Sequence, residues 1–240
     1  MCTKFFLYKV FIVSNGWVYC GDGIYKDSLY KDIFVVVMKG LLEDLASCSM
    51  PGPRPSFSIF DIVKTLMILA EFGSIGRGKL SEKLSLGGGA VRTLLSRLSE
   101  AGLISTSRSG CSLTEEGKRL YMEIKRVIPK ICRIGPNELT FAEYNVIVQV
   151  RGGAGKVRKG IEQRDAAVRA GAKGAVTLIY RNNKLIMPAI TEDVSKSYPV
   201  AYRQIRDIID FSEEDVAIIV CADDPRSAEY GALAAAWTII

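Results

Sequence analysis

The sequence predicts an α+β chain: an N-terminal winged helix-turn-helix domain followed by a ferredoxin-like (βαββαβ) domain. Three observations predict it. Pro51, Gly52, Pro53 and Pro55 form a stiff stretch that no helix can cross. After it, apolar residues recur with a period of 3.6 through three segments and then give way to a hairpin. From residue 144 onward the pattern becomes strand, helix, strand, strand, helix, strand. A chain of 240 residues accommodates two such small domains.

In the first block, Ile59, Ile62, Val63, Leu66 and Leu69 fall on one helical face, with Ser56 or Ser58 as the N-cap. Glu71, Phe72 and Gly73 end that helix. Gly76, Arg77 and Gly78 lead to a second helix over 79–84, and Gly87, Gly88 and Gly89 make the turn to a third over 90–100. Ala101 and Gly102 stop it. Residues 103–107 and 111–113 read as strands around a tight turn at Arg108, Ser109 and Gly110. Thr114 caps a fourth helix with Glu115 and Glu116 in its first turn. The block spans 56–134.

The second block, 135–240, opens near Pro136. Residues 144–150 alternate as a strand, 151–155 form a loop, and a helix is expected over 157–170. Strands follow at 175–180 and 185–188, joined by Asn182 and Asn183. A helix starting at Pro199 runs to about 210, a strand occupies 215–221, and the chain closes with a helix over 227–240.

Composition narrows the chemistry. Residues 54–134 hold 14 Lys+Arg against 7 Asp+Glu, whereas 135–240 hold 13 against 14 and 1–53 hold 5 against 5. The excess positive charge therefore sits in the first block, where it suits a polyanion. There is no histidine, which removes the commonest general base and metal ligand. The six cysteines form no C-x-x-C pair, so no metal site and no cofactor is expected, and the thiols read as reduced in a cytoplasm. The apolar run 5–13 is too short to span a membrane. The first 37 residues lack a period that connects with the downstream helices. Met38 reads as the true start, 1–37 as a non-native extension, with a genuine amphipathic or strand-like extension as the alternative, and 38–55 as a linker.

Residues 90–100 suit a DNA major groove: Val91, Leu94, Leu95 and Leu98 form an apolar back and Arg92, Thr93, Ser96 and Arg97 a polar front. Arg pairs bidentately with guanine, and hydroxyls bond bases or phosphates. The turn around Gly88 lets phosphates approach free helix N–H groups. Arg77, Lys79 and Lys83 would position the DNA backbone, and Arg108 at the hairpin tip would reach a minor groove or flanking phosphate. The bland alternative for each is a solvated surface charge.

The second block offers a weaker candidate. Arg151, Gly152, Gly153, Gly155, Lys156 and Arg158 lie between a strand and a helix, a setting that favours an anion. The spacing is not that of a Walker loop. Asp223 and Asp224 after the last strand could add a cation or amine contact, or simply cap the next helix. Glu162, Arg164, Asp165 and Arg169 read as surface pairs on one helix.

These residues carry two resemblances. Ser99 to Ile104, the Arg-tipped hairpin and Leu113 to Gly117 resemble bacterial and archaeal winged-helix regulators. Gly155 to Arg158, Gly160 to Asp165 and Ala170 to Ala175 resemble a group of archaeal proteins that join a winged helix to a C-terminal domain of unknown function. That resemblance covers residues 40–240 and carries no ligand with it. The expected function is a homodimeric transcription regulator that binds double-stranded DNA and responds to a small, anionic effector. A constitutive partner of the transcription machinery is the alternative. An enzyme acting through Asp223, Asp224 and the loop 152–159 is a third reading, without Ser-His-Asp or Cys-His chemistry.

Overall fold

The computed structural model describes residues 10–13, 17–20, 23–47 and 56–240, with side chains described for 34–47 and 56–240. Two compact units divide within one helix, between Tyr121 and Met122. The expected linker 51–55 lies outside the described residues.

In the first unit, β1 (Val10–Val13), β2 (Trp17–Cys20) and β3 (Gly23–Lys26) form an antiparallel meander that feeds α1 (Asp27–Ala46). This helix passes through Met38 without a break. Residues 38–46, expected as linker, are helical, and Met38, Leu42 and Leu45 are buried. Their i, i+4, i+7 spacing carries an apolar stripe that the Gly40 in its midst obscures.

The winged helix comes next. α2 (Ile59–Phe72) starts at Ser58, whose N–H and hydroxyl both donate to Asp61 Oδ2, at 2.6 and 2.8 Å. β4 (Ser74–Ile75), α3 (Arg77–Leu84), α4 (Gly88–Glu100), β5 (Ile104–Ser107), β6 (Gly110–Leu113) and α5 (Glu115–Val127) complete it. The sheet order is β4-β6-β5. α3 packs on both α2 and α4. Ile62, Val63, Leu66, Leu80, Val91, Leu94 and Leu98 are buried, each side chain contributing roughly 1.5–3 kcal/mol. α4 ends in a Schellman motif: Leu103 N–H donates to Leu98 O and Gly102, at φ 71°, donates to Ser99 O. Thr114 caps α5 by accepting from Gly117 N–H at 3.1 Å.

The second unit is a five-stranded antiparallel sheet between helices. Its strands are β7 (Lys130–Arg133), β8 (Tyr144–Val150), β9 (Gly174–Arg181), β10 (Lys184–Ile186) and β11 (Val216–Ala222). Its helices are α6 (Ile161–Arg169), α7 (Val194–Ser197), α8 (Pro199–Ile208) and α9 (Pro225–Trp237). On one face Ile147, Leu178, Tyr180, Ala217 and Ile219 join Val194 of α7 and Ala201 and Ile205 of α8. On the other, α6 and α9 lie against β8, β9 and β11. Small residues allow that approach: a Cβ on Gly231 would stand 2.9 Å from Val220.

The strand-helix-strand-strand-helix-strand order is present, but the connectivity is not ferredoxin-like. The order across the sheet is β10-β9-β11-β8-β7. A ferredoxin-like sheet puts its third strand, the return strand of the hairpin, between the first two, with both helices on one face. Here β11 takes that central place, β10 goes to the edge, and helices cover both faces. The reason lies in the strands themselves. A central strand covered on both sides must be apolar throughout. All seven residues of β11 are buried, whereas β10 has three residues and begins with the exposed Lys184. Two further differences are local. Gly160 adopts φ 79° as the N-cap of α6, so 157–160 are not helical. β7 pairs with β8, so residues 130–133 belong to the second unit and not to the basic block.

Candidate nucleic-acid interface

The interface begins with the break between α3 and α4. Ser85 adopts a left-handed conformation (φ 51°), and Leu86 N–H donates back to Ser81 O. Gly87 is the N-cap of α4, so Gly88 and Gly89 lie within its first turn and not in the connection. Apart from the helix's own backbone and the adjoining residues, no atom of the described residues lies within 4 Å of a Cβ built on Gly87, Gly88 or Gly89. The fold itself does not require glycine there.

From this start α4 presents its polar face. Arg92 and Ser96 are exposed, and the stripe continues through Ser99 and Glu100. Opposite stands the hairpin of β5 and β6, whose tip is Arg108 and Ser109. Its shape needs Gly110, at φ 128°, because a Cβ there would stand 2.5 Å from Ile75 O in β4. Between helix and hairpin runs a groove of about 620 Å³, lined by Arg77, Arg92, Ser96, Glu100 and Arg108 among others. Among the described residues none of these three arginines forms an ion pair. The groove thus holds three guanidinium groups and one carboxylate. The Ser96 hydroxyl donates to Glu100 Oε1 at 2.9 Å.

The other expected residues divide. Lys79 is exposed beside the groove-lining Arg77. Lys83 Nζ lies 4.2 Å from the centre of the Phe72 ring, a cation–π contact with the end of α2. Thr93 is exposed, with its hydroxyl donating to Gly89 O at 3.2 Å. Arg97 is placed differently from expectation. Its Nη1 donates to Leu45 O at 2.9 Å and Ser47 O at 2.6 Å, and its guanidinium stands 5.4 Å from the centre of the Phe57 ring. At 100° per residue Arg97 sits about 140° around α4 from Arg92, so it flanks the polar face and caps the end of α1.

Ser99 and Glu100 are additions to the expected set, although Arg92, Ser96 and Glu100 share an i, i+4, i+8 stripe. That spacing is the signal that could have found Glu100; Ser99, three residues beyond Ser96, falls beside the stripe. Ser107 and Ser109, exposed on the hairpin, also line the groove, and no such spacing marks them. Cys111 lines the same groove; burial pushes its thiol pKa up, against the charge of Arg77.

The expected ligand residues of the second unit do not form one site. The loop with Arg151, Gly152, Gly153, Gly155, Lys156 and Arg158 lies after the end of β8, beside Val216. Asp223 and Asp224 lie beyond the far end of β11, beside Tyr144. The seven residues of β11 separate them, roughly 20 Å. Asp223 pairs with Lys173 at 2.7 Å, and Asp224 caps α9 by accepting from Ser227 N–H at 2.9 Å. The Ser227 hydrogen bonds hold the Asp224 carboxyl below its ordinary pKa. The i,i+3 and i,i+4 pairs expected on α6 do not form among the described residues; Arg164 pairs with its neighbour Asp165 at 2.9 Å.

What anchors the loop is Asp215, which in sequence looks like no more than the first residue of a strand. It is buried, and its carboxylate accepts from Gln149 Nε2 (2.8 Å), Ser212 N–H (3.0 Å) and Gly152 N–H (3.1 Å). Gly153 packs inward, where a Cβ would stand 3.2 Å from Ile239 and 3.3 Å from Val150. No group of three or more Cys, Asp or Glu among the described residues could hold a metal ion. No helix among them is long and apolar enough to cross a membrane.

Residues 58–119 match the family described as the PH0730-like N-terminal domain, and residues 141–239 match a domain of unknown function (DUF4443). Hypothetical protein PH0730 from the archaeon Pyrococcus horikoshii OT3 is 27% identical, with a TM-score of 0.63 over 77% of this chain and 93% of that one. A likeness over that share of the chain exceeds either unit alone. ZitR from Lactococcus lactis is 27% identical over 40% of this chain and 69% of its own, at a TM-score of 0.26. YusO from Bacillus subtilis is 18% identical over 42% and 75%, at 0.27. No curated protein matches the chain.

Proposed function

We propose that this chain is a transcription regulator that binds double-stranded DNA through the groove between α4 and the β5–β6 hairpin. One observation carries the reading. Arg77, Arg92 and Arg108 come from three separate elements and meet in one open groove, exposed and without ion pairs among the described residues. Unpaired cations that converge repel one another, so a shared anionic partner stabilises them.

The chemistry divides by position. α4 enters the major groove by its N-terminal half, where Arg92 reaches a guanine edge and Ser96 a neighbouring base or phosphate. Gly88 and Gly89 let a phosphate approach the N–H groups at the start of α4. Arg77 and Arg108 hold the sugar-phosphate backbone on either side. Glu100 opposes this attraction and accepts only a donor, such as the cytosine amino group, so it favours sequence over bulk charge. Two copies on a two-fold site would place two α4 helices about one DNA turn apart.

Gel-shift titration against the promoter of its own gene tests the reading. Binding should be specific, should weaken steeply with salt, and should fall when Arg92 is changed to Ala. Indifference to any duplex at low salt would overturn it.

A further inference from the structure

The basic loop of the second unit has no place in the α4 groove, although it is a strong charge feature. Residues 151–159 contain Arg151, Lys156, Arg158 and Lys159 and no acid. The rest of the second unit, 122–240, holds 13 Lys+Arg against 15 Asp+Glu, so the loop is what turns the unit's balance positive. All four cations are exposed and none forms an ion pair among the described residues. Even Glu162, three residues beyond Lys159, makes no bridge to them.

The loop is also built to stay in place. The buried Asp215 holds Gly152 N–H, Ala154 N–H donates to Glu214 O at 3.1 Å, and Arg151 N–H donates to Val127 O at 2.9 Å. A Cβ on Gly153 would crowd the side chains of Ile239 and Val150, at 3.2 and 3.3 Å. Gly160 is likewise pressed against Thr177, at 3.1 Å from a built Cβ. A fixed backbone therefore offers four cations outward, spread along nine residues and open to solvent. A small anion needs donors that close around one point. An extended polyanion needs spaced cations on an open surface.

From these observations we infer that residues 151–159 form a second nucleic-acid contact, which engages the phosphate backbone of a DNA duplex without reading its sequence. The inference rests on the DNA-binding reading of the chain but not on the α4 groove. Its partner is the phosphodiester chain, and free phosphate is the competing source of the same chemistry.

The test uses the full chain and fluorescence anisotropy with a random-sequence duplex of about 30 base pairs over a salt series. A quadruple variant, Arg151→Gln, Lys156→Gln, Arg158→Gln and Lys159→Gln, leaves Asp215 and the glycines intact, and its melting curve should match the wild type. The slope of log K against log salt should fall by about 3.6, at 0.9 for each of the four lost phosphate contacts, and affinity at low salt by tenfold or more. An unchanged slope would overturn the inference while leaving the groove reading intact. The reverse failure is distinguishable: a triple Arg77, Arg92 and Arg108→Ala variant that binds as tightly as the wild type would sink the groove and spare the loop. If inorganic phosphate protects the loop against heat in a loop-dependent way and duplex binding is unaltered by the quadruple change, the site belongs to a free anion. No duplex binding by the wild type would remove both readings.

Discussion

Gly87, Gly88 and Gly89 at the start of α4 and Gly153 and Gly160 around the loop after β8 look alike as sequence, and they do opposite things. Apart from the helix's own backbone and the adjoining residues, Gly87, Gly88 and Gly89 have no atom of the described residues within 4 Å of where a Cβ would sit. Gly153 is pinned between Ile239 and Val150, and Gly160 presses on Thr177. The first set leaves room outside the protein, and the second removes bulk inside it. A run of glycines next to basic residues therefore says that something comes close, but not whether it is a ligand or the protein itself.

Substitution separates the two uses. The largest effect is expected where a glycine faces its own backbone. At Gly117 a Cβ would stand 2.0 Å from Leu103 O, which joins α5 to the hairpin. Gly117→Ala should destabilise the first unit by on the order of 3 kcal/mol, read as a lowered melting temperature with secondary structure kept. A normal melt would mean that α5 and β5 are not locked together. Arg92→Ala should leave stability within about 0.5 kcal/mol and cost about 1–3 kcal/mol of operator binding, measured by gel shift. Equal weakening on all sequences would mark Arg92 as a phosphate contact instead. Gly88→Ala with Gly89→Ala should raise stability by roughly 1 kcal/mol, since both are helical and uncrowded, while weakening DNA binding. If binding is unchanged, nothing approaches α4 at its start.

The smallest effect concerns the cap of α9. Asp224 is held below its ordinary pKa in the folded state, first by the Ser227 side chain. A depressed carboxyl stabilises the fold above its unfolded pKa near 3.9, and that contribution is lost as pH falls through the folded value. Asp224→Ala should cost about 0.5–1 kcal/mol at neutral pH, and the two melting curves should draw together as pH falls through the folded value. A gap that persists in acid would assign the loss to something other than the charged cap.

How much of the molecule is legible in its sequence tracks how local the causes are. The helices and hairpin of the first unit arise from caps and periods a few residues long: Ser58, Thr114, and Gly102 after α4. The strands β8, β9 and β11 are similarly visible, because runs such as Val216–Ala222 are apolar throughout. Their order is not visible. Whether β10 or β11 enters the centre depends on which strand tolerates burial on two faces, a comparison between segments more than 25 residues apart. The site obeys the same rule. Arg92 and Arg108 are legible from helix and turn position, whereas the diversion of Arg97 to Leu45 and Ser47 is not. It depends on α1, whose apolar stripe reads as linker in the sequence.

The exchange of strand positions also decides how the sheet ends. Its two borders are β10 and β7, of three and four residues, while the interior strands run to seven or eight. The borders carry the exposed Lys184, Lys130 and Arg133. Short margins with charged side chains make poor templates for another chain's backbone. The valine- and isoleucine-rich interior strands of this sheet thereby present no free edge to another molecule.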